Sequence, residues 1–452
     1  MNTRRTLLSR TAPNTSFAGE ITVSQQHSRL RLPARNNDRF PYTVMAAFSM
    51  LFLAFGFVSD RPSAIAEGLL RILAGSDVLI TDYIAVGGIG AAFVNAGLLM
   101  LGATALLRRQ GVAFRGITVA AVFLMGSFGL FGKNICNVLP ILMGTWLYTA
   151  ISREPFAEHL HTALFATCLS PVVSEGLFKM GGSGWMGALF GLTLGLSIGF
   201  LIPLLAVHMR QIHGGFSLYN VGFTAGLLGA VYASLFKSYG YIAAPQLHWS
   251  TGNNAPLAMF LSVLFSISIL FGFFISRSPK AELKGIFQKS GYGNNDFLMQ
   301  YGLGACLINI GLNGIVATCY VLLAGGPLNG PTLGGILTIA GFGASGKHAR
   351  NVIPLLLGAF LGSVTKIWNI NDPAALLAAL FGTSLAPIAG YYGWSWGIIA
   401  GFLNSSVALN SGVLHSGMNL YNTGFSAGIV AAVLIPLMNA ARKARIMARF
   451  YR

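Results

Sequence analysis

Residues 82–98 read DYIAVGGIGAAFVNAGL, and residues 296–312 read DFLMQYGLGACLINIGL. Asp82, Gly88, Gly90, Ala91, Asn95, Gly97 and Leu98 all recur 214 positions later. The same offset brings GKNICNVLPILMG (132–144) onto GKHARNVIPLLLG (346–358). Pro171 returns as Pro387 after 216 residues, and HGGFSLYNVGFTAG (213–226) returns as HSGMNLYNTGFSAG (415–428) after 202. Similarity this extended marks a duplicated structural unit. The chain divides into a basic tail (1–40), a first repeat (41–240), a linker (241–255), a second repeat (256–440) and a basic C-terminal tail (441–452).

Composition places both repeats in a bilayer. Of 452 residues, 54% are hydrophobic, 9% are charged and 57 are glycine, a balance suited to lipid rather than water. Apolar runs such as PYTVMAAFSMLFLAFGFV from Pro41 and WMGALFGLTLGLSIGFLIPLLAV from Trp185 approach or exceed the roughly 20 residues that span a hydrocarbon core. The net charge of +17 sits in short connections and at the two ends, which reads as membrane orientation and not as a nucleic-acid surface. Cys136, Cys168, Cys306 and Cys319 lie in or beside apolar segments without CxxC spacing, as packing residues do.

The first repeat holds about seven apolar segments, near 41–58, 83–106, 116–131, 138–152, 163–178, 185–207 and 218–236. An odd count inverts the second repeat, and charge tests this independently. Arg108, Arg109 and Arg115 follow the second segment, whereas the matching AGGPLNGP from Ala324 is uncharged. Arg442, Lys443, Arg445, Arg449 and Arg452 follow the last segment, whereas Lys237–Asn254 carries one Lys. The expected fold is therefore an all-α polytopic membrane protein of two inverted-topology repeats, with both termini and the loop from Arg277 to Lys289 cytoplasmic. The shortest segments are candidates for re-entrant half-helices.

Two motif pairs carry the functional reading. In GKxxxNV[LI]P, Asn137 and Asn351 are expected to cap a helix whose first turn holds Pro140 or Pro354. The free N–H groups there, with Lys133 or Lys347 beside them, suit an anion or a carbonyl oxygen. The plain alternative makes the lysines snorkelling anchors at the membrane interface. In the Leu-Tyr-Asn phrase, Tyr219, Asn220, Tyr421 and Asn422 form a second set of expected solute contacts, while the Gly-xxx-Gly spacing packs helices closely. His213 and His415, expected near opposite surfaces, and Glu175, an intramembrane acid, are candidates for proton coupling. Asp82 and Asp296 read as helix N-caps.

Other signals lead nowhere. The Gly88-Ile-Gly90 stretch lies in an apolar helix and lacks the rest of a dinucleotide fingerprint, and Glu158-His159-Leu160-His161 does not complete a metal set. No cofactor, metal or nucleotide-hydrolysing motif is expected, and the protein reads as no enzyme. The competing class is a membrane-embedded enzyme acting on a lipid or lipid-linked substrate through Glu175 and the histidines.

The two motif pairs resemble a bacterial family of polytopic membrane proteins known mainly as a domain of unknown function, which implies no substrate. More loosely, the architecture is similar to that of urea transporters, which also invert a duplicated helical unit around a pore, but no urea-binding residue matches here. The expected function is a bacterial inner-membrane transporter or channel for a small polar, anionic solute, with the bilayer as its other partner. An oligomer of identical chains is compatible with this reading.

Overall fold

The computed structural model describes residues 38–182, 184–293 and 296–450. The N-terminal tail expected over 1–40 thus lies almost entirely outside the described residues. Those described are helical, with two isolated bridges and no sheet. In the first half the helices are α1 (Arg39–Ser59), α2 (Pro62–Leu73), α3 (Tyr83–Gly87), α4 (Ile89–Arg109), α5 (Gly116–Gly129), α6 (Ile135–Ser152), α7 (Phe156–Ala166), α8 (Ser170–Glu175), α9 (Trp185–Ile212) and α10 (Asn220–Ser238). The second half holds α11 (Asn254–Ile275), α12 (Pro279–Phe287), α13 (Phe297–Leu323), α14 (Gly330–Gly341), α15 (Ala349–Thr365), α16 (Pro373–Gly382), α17 (Ala386–Tyr392), α18 (Trp394–Ser411) and α19 (Asn422–Phe450).

Eleven described helices are long and apolar enough to cross a membrane, and three further apolar ones are shorter. Large apolar side chains such as Trp146, Trp185, Phe274 and Leu323 stand exposed on the outside, where hydrocarbon would cover them. The chain is a polytopic all-α membrane protein.

Each expected apolar segment of the first half has its helix, and α2 and α12 are additional. The loop read over 277–289 contains α12. Both extra helices begin with proline at the first turn, and Glu67, Arg71, Lys280, Glu282 and Lys284 break up their apolar content. At 12 and 9 residues they are too short to span. Hydropathy therefore passes over them. The basic stretch from 441 continues α19 as helix through Phe450.

Equivalent helices of the two halves pack against each other, α5 and α14 antiparallel. A Cβ on Gly330 would meet Leu130, one on Gly334 would meet Phe131, and one on Gly341 would meet Phe123, while Gly116 abuts Ala344. Numbers rise along α14 as they fall along α5. The pair α10 and α19 crosses closely at matching positions, with Gly222 against Gly424, Gly226 against Phe425 and Gly428 against Phe223. Small residues at these crossings let the backbones approach.

Contacts between the halves come in exchanged pairs. Asp82 caps α3 at Ile84 N and also accepts from Gly330 N at the start of α14, 3.1 Å away. Asp296 caps α13 at Met299 N and accepts from Gly116 N at the start of α5, at 3.0 Å. Both aspartates are N-caps, as expected, and each also caps a helix of the opposite half. Because α5 and α14 are antiparallel, these two junctions mark opposite ends of the molecule. At the Asp296 end, Tyr42 OH donates to Val112 O at 2.8 Å, which brings the start of α1 beside the Arg108–Arg115 connection. At the Asp82 end the linker 241–255 folds onto the 76–82 loop: His248 N donates to Ile80 O at 2.9 Å, and Ser250 N to Asp82 Oδ2 at 2.9 Å.

Candidate functional site

The short helices α5 and α14, of 14 and 12 residues, rise only about 20 Å each. Both lie at the centre, and α14 is buried along its whole length. Each ends in the Gly-Lys turn. Gly132 and Gly346 take φ of 91° and 89°, a region that favours glycine. A Cβ there would also press on Leu420 at 2.5 Å, or on Leu218 at 2.9 Å. These leucines belong to the Leu-Tyr-Asn phrase of the opposite half. The two motif pairs therefore meet, each with the partner from the other repeat.

Lys133 and Lys347 are both fully buried, so neither is an interfacial anchor. Lys133 Nζ donates to Tyr421 OH at 3.0 Å and lies 5.0 Å from the Tyr421 ring centre and 5.1 Å from that of Phe128. Lys347 Nζ donates to Tyr219 OH at 2.5 Å and to Thr383 Oγ1 at 2.8 Å, and lies 4.6 Å from the Tyr219 ring centre and 5.3 Å from that of Phe342. Among the described residues no carboxylate pairs with either lysine; the single ion pair is His159 with Glu154. Two rings and a hydroxyl replace the counter-ion, which suits a cation only in part.

The lysine backbones are held from α4 and α13. Asn95 Nδ2 donates to Gly129 O and Lys133 O at 2.7 and 2.8 Å, and Asn309 Nδ2 donates to Gly343 O and Lys347 O at the same distances. Asn313 Nδ2 adds a bond of 3.2 Å to Lys347 O. Sequence reading gave Asn95 and Asn309 no role, although their recurrence was the available signal.

Asn137 and Asn351 do not cap their helices. The N-caps are Asn134 and His348, while Asn137 and Asn351 stand three residues on and return a bond to the cap's backbone N–H, each at 2.9 Å. Pro140 and Pro354 lie inside the helix, beyond the first turn. A capping box needs the polar side chain three residues after the cap as well as at it, so the spacing to proline misled. Asn137 Nδ2 also binds Gly132 O, Asp77 Oδ2 and Ser174 Oγ, and Asn351 Nδ2 binds Gly346 O and Ser290 O. Both amides fasten the lysine turns.

The Leu-Tyr-Asn phrase divides its labour. Tyr219 and Tyr421 cross to the lysines, whereas Asn220 and Asn422 stay within their own half. Asn220 Nδ2 donates to Ala206 O at 2.9 Å and Asn422 Nδ2 to Ala408 O at 2.8 Å; their Oδ1 atoms lie 3.0 Å from the Nε2 atoms of His213 and His415. Both histidines are buried within the protein. Their Nδ1 atoms face the backbone N–H of Ser217 and Asn419 at 3.5 and 3.4 Å, so Nε2 carries the proton that reaches the asparagine. Between Tyr219 and Tyr421, a small cavity walled by Leu124, Phe128, Thr338, Phe381 and Gly424 has room for about one water. The centre is closed in this conformation.

Glu175 is buried beside the Lys133 turn with an acid that sequence reading missed, Asp77. Glu175 accepts from Ser76 Oγ at 2.5 Å and from the Tyr241 hydroxyl in the linker. Asp77 Oδ1 accepts from the Tyr83 hydroxyl, and Oδ2 accepts from Ser174, from Asn137 Nδ2 at 2.8 Å and from Asn134 Nδ2 at 3.4 Å. In the second half the corresponding positions hold Gly291 and Tyr391, so the acids have no counterpart there. Hydropathy and repeat matching both pass over a lone Asp between α2 and α3.

The chain belongs to the family described as Protein of unknown function (DUF1576), which matches residues 61–238 and 276–440. Each matched stretch contains one Gly-Lys turn and one Leu-Tyr-Asn phrase. No curated protein and no solved structure matches the chain.

Proposed function

We propose that this protein is a membrane transporter or channel for a small polar, anionic solute. The observation that carries the reading is the pair of buried lysines without a carboxylate partner, each tied to a tyrosine of the other half. An uncompensated ammonium at membrane depth is expensive, and such groups mark ion or solute pathways. A tyrosine hydroxyl is a weak partner for it. A carboxylate, nitrate or similar oxyanion would bind better, displacing the hydroxyl while the rings remain as walls.

The lysine turns sit at opposite ends of the antiparallel pair α5 and α14, so the lysines act as two stations in series. Tyr421 closes the first and Tyr219 the second. Asn137 and Asn351 hold the turns, and Asn220 and Asn422 set the tyrosines by fixing the starts of α10 and α19. Inverted halves of this kind suit alternating access, in which one end opens as the other stays shut. The Arg-rich end, with both termini, is assigned to the cytoplasmic side of a bacterial inner membrane.

Proteoliposomes of the purified protein test the reading with labelled chloride, nitrate, formate, acetate, phosphate and sulfate. Uptake of at least one, abolished by Lys133→Met and by Lys347→Met, is the expected result. Equal uptake by protein-free vesicles for every anion would remove the support for transport.

A further inference from the structure

We propose that Asp77 and Glu175 form a proton-binding latch on the Lys133 turn, closed when it holds a proton and released when it loses one, with no equivalent at the Lys347 turn. The proposal rests on the transport reading for its purpose, but the latch itself is a property of the fold and is testable without a solute.

The geometry places two buried acids close enough for the charge of one to act on the other. Asp77 and Glu175 are 1% and 2% exposed, and neither pairs with a cation among the described residues. The groups that face Asp77 are Tyr83 from α3, Cys136 from α6 and Glu175 from α8, with Tyr241 of the linker behind Glu175. None of these is basic. Two buried carboxylates without a cation cannot both hold a full charge cheaply. In the connection between α2 and α3, burial raises the Asp77 carboxyl to about 7, the effect of Glu175 adding to it.

The position of the extra proton follows from the donors. Asp77 Oδ2 already receives two amide N–H groups, from Asn137 and Asn134, and these cannot turn into acceptors. Oδ1 faces only the Tyr83 hydroxyl, which can. A proton on Oδ1 is therefore donated to Tyr83 O, and the Tyr83 hydroxyl hydrogen turns away, while both asparagine bonds survive. Those asparagines are the N-cap and third residue of α6, so the Lys133 turn stays fastened. Loss of the proton leaves a buried carboxylate that keeps its four donors but has no counter-charge, and the gain from hydrating it favours opening of the turn.

The sign is fixed by linkage. The carboxyl holds its proton more tightly in the closed fold than in water, so closure is favoured at low pH and lost as pH rises through about 7. At the other turn Asn351 reaches Ser290 O, a backbone carbonyl, and the titrating group is the N-cap His348, which burial lowers to about 4, so that turn is loosened as pH falls and not as it rises. The latch loosens the Lys133 turn alone as pH rises, and each opening at that end releases a proton there.

Hydrogen–deuterium exchange of the full-length protein in detergent tests this in a His348→Asn background, which gives the second turn the N-cap residue of the first and removes its titrating group, so that it serves as internal reference. After correction for intrinsic rates, exchange at 130–138 relative to 344–352 should rise on the order of tenfold between pH 5.5 and pH 8.5. Asp77→Asn, which mimics the protonated acid in shape and charge, should hold the ratio at its low-pH value throughout, and Glu175→Gln, which removes the negative charge that helps raise Asp77, should shift the rise to lower pH. A ratio independent of pH with Asp77 and Glu175 intact overturns the latch, and so does an unchanged rise in a folded Asp77→Asn. Either result leaves anion uptake to be judged on its own, and absent uptake with an intact rise removes the transport reading alone.

Discussion

Replacing Lys347 by methionine separates a lysine kept for function from one kept for structure. The side chain loses two hydrogen bonds, to Tyr219 and Thr383, and its approach to two rings. Bonds to a charged group contribute roughly 1.5–3 kcal/mol each, and a desolvated cation over a ring about 2 kcal/mol. Against these stands the cost of burying an ammonium with no counter-ion, several kcal/mol even after relaxation. Methionine restores the apolar stem. Thr383 keeps its bond to Leu380 O at 2.6 Å and remains a hydrogen-bond partner of the Tyr219 hydroxyl, so the loss there is at most about 1–3 kcal/mol. The terms nearly cancel, and replacing buried charges by apolar groups is often neutral or stabilising by about 1–4 kcal/mol. The thermal unfolding midpoint of Lys347→Met in detergent should therefore stay level or rise, while anion uptake into proteoliposomes disappears. A variant that loses more than about 3 kcal/mol of stability yet still transports would refute the reasoning, since it would make the lysine a structural tie.

Other outcomes follow from the same geometry. Tyr219→Phe and Tyr421→Phe keep the rings but remove the hydroxyls bound to the lysines; each should alter the uptake rate several-fold with a stability change near 1 kcal/mol, read by flux and thermal unfolding. Gly132→Ala and Gly346→Ala place a Cβ at positive φ against a leucine, and each should lower stability by about 1–3 kcal/mol in a thermal-shift measurement. Asp82→Ala strands the N–H groups of Ile84, Ser250 and Gly330 and should cost roughly 2–4 kcal/mol, whereas Asp82→Asn recovers part of it. Cysteines introduced by Gly222→Cys and Gly424→Cys should oxidise to a bond joining the halves, visible on a non-reducing gel after cleavage between α12 and α13. Failure to cross-link would contradict the close crossing of α10 and α19 at these glycines.

What could be read in advance depended on whether the signal was periodic, repeated or neither. Spanning helices were legible because apolar runs of the right length have one home, and α2 and α12 were not because their charges dilute that run. Repetition singled out Lys133, Lys347, Tyr219 and Tyr421, but repeats matched to themselves cannot show that each lysine meets the tyrosine of the opposite half. That pairing depends on which faces the antiparallel helices turn to each other. The N-caps were misplaced because Asn134 and His348 differ between the halves, while Asn137 and Asn351, alike in both, attracted the assignment. Asp77 was invisible for the opposite reason: it has neither an apolar context nor a copy, and only the folding of the 76–82 loop onto α6 and α8 gives it partners.

The differences between the halves matter as much as the likeness. Crossed lysine–tyrosine ties make the two stations chemically alike, and a pathway built of equivalent stations would open equally well to either side. Direction requires that the two open states differ in energy. Asp77 and Glu175 supply such a difference at one end, where the second half offers Gly291 and Tyr391. The other end carries a different surface, with Phe216 stacked on Tyr292 at 4.1 Å and Arg442 lying over the Tyr391 ring at 5.6 Å. Under the proposed function, an anion approaching the aromatic, cationic end would meet attraction before reaching Lys347, whereas at the acidic end it would meet acids whose charge depends on protons. Under the proposed function, Asp77→Asn should therefore remove most of the pH dependence of uptake driven from the acidic side and leave uptake from the cationic side nearly unchanged. Measuring flux with protein of known orientation in the vesicles, at pH 5.5 and pH 8.5 on each face in turn, separates the two. Equal pH dependence from both faces would place the asymmetry elsewhere than in these acids.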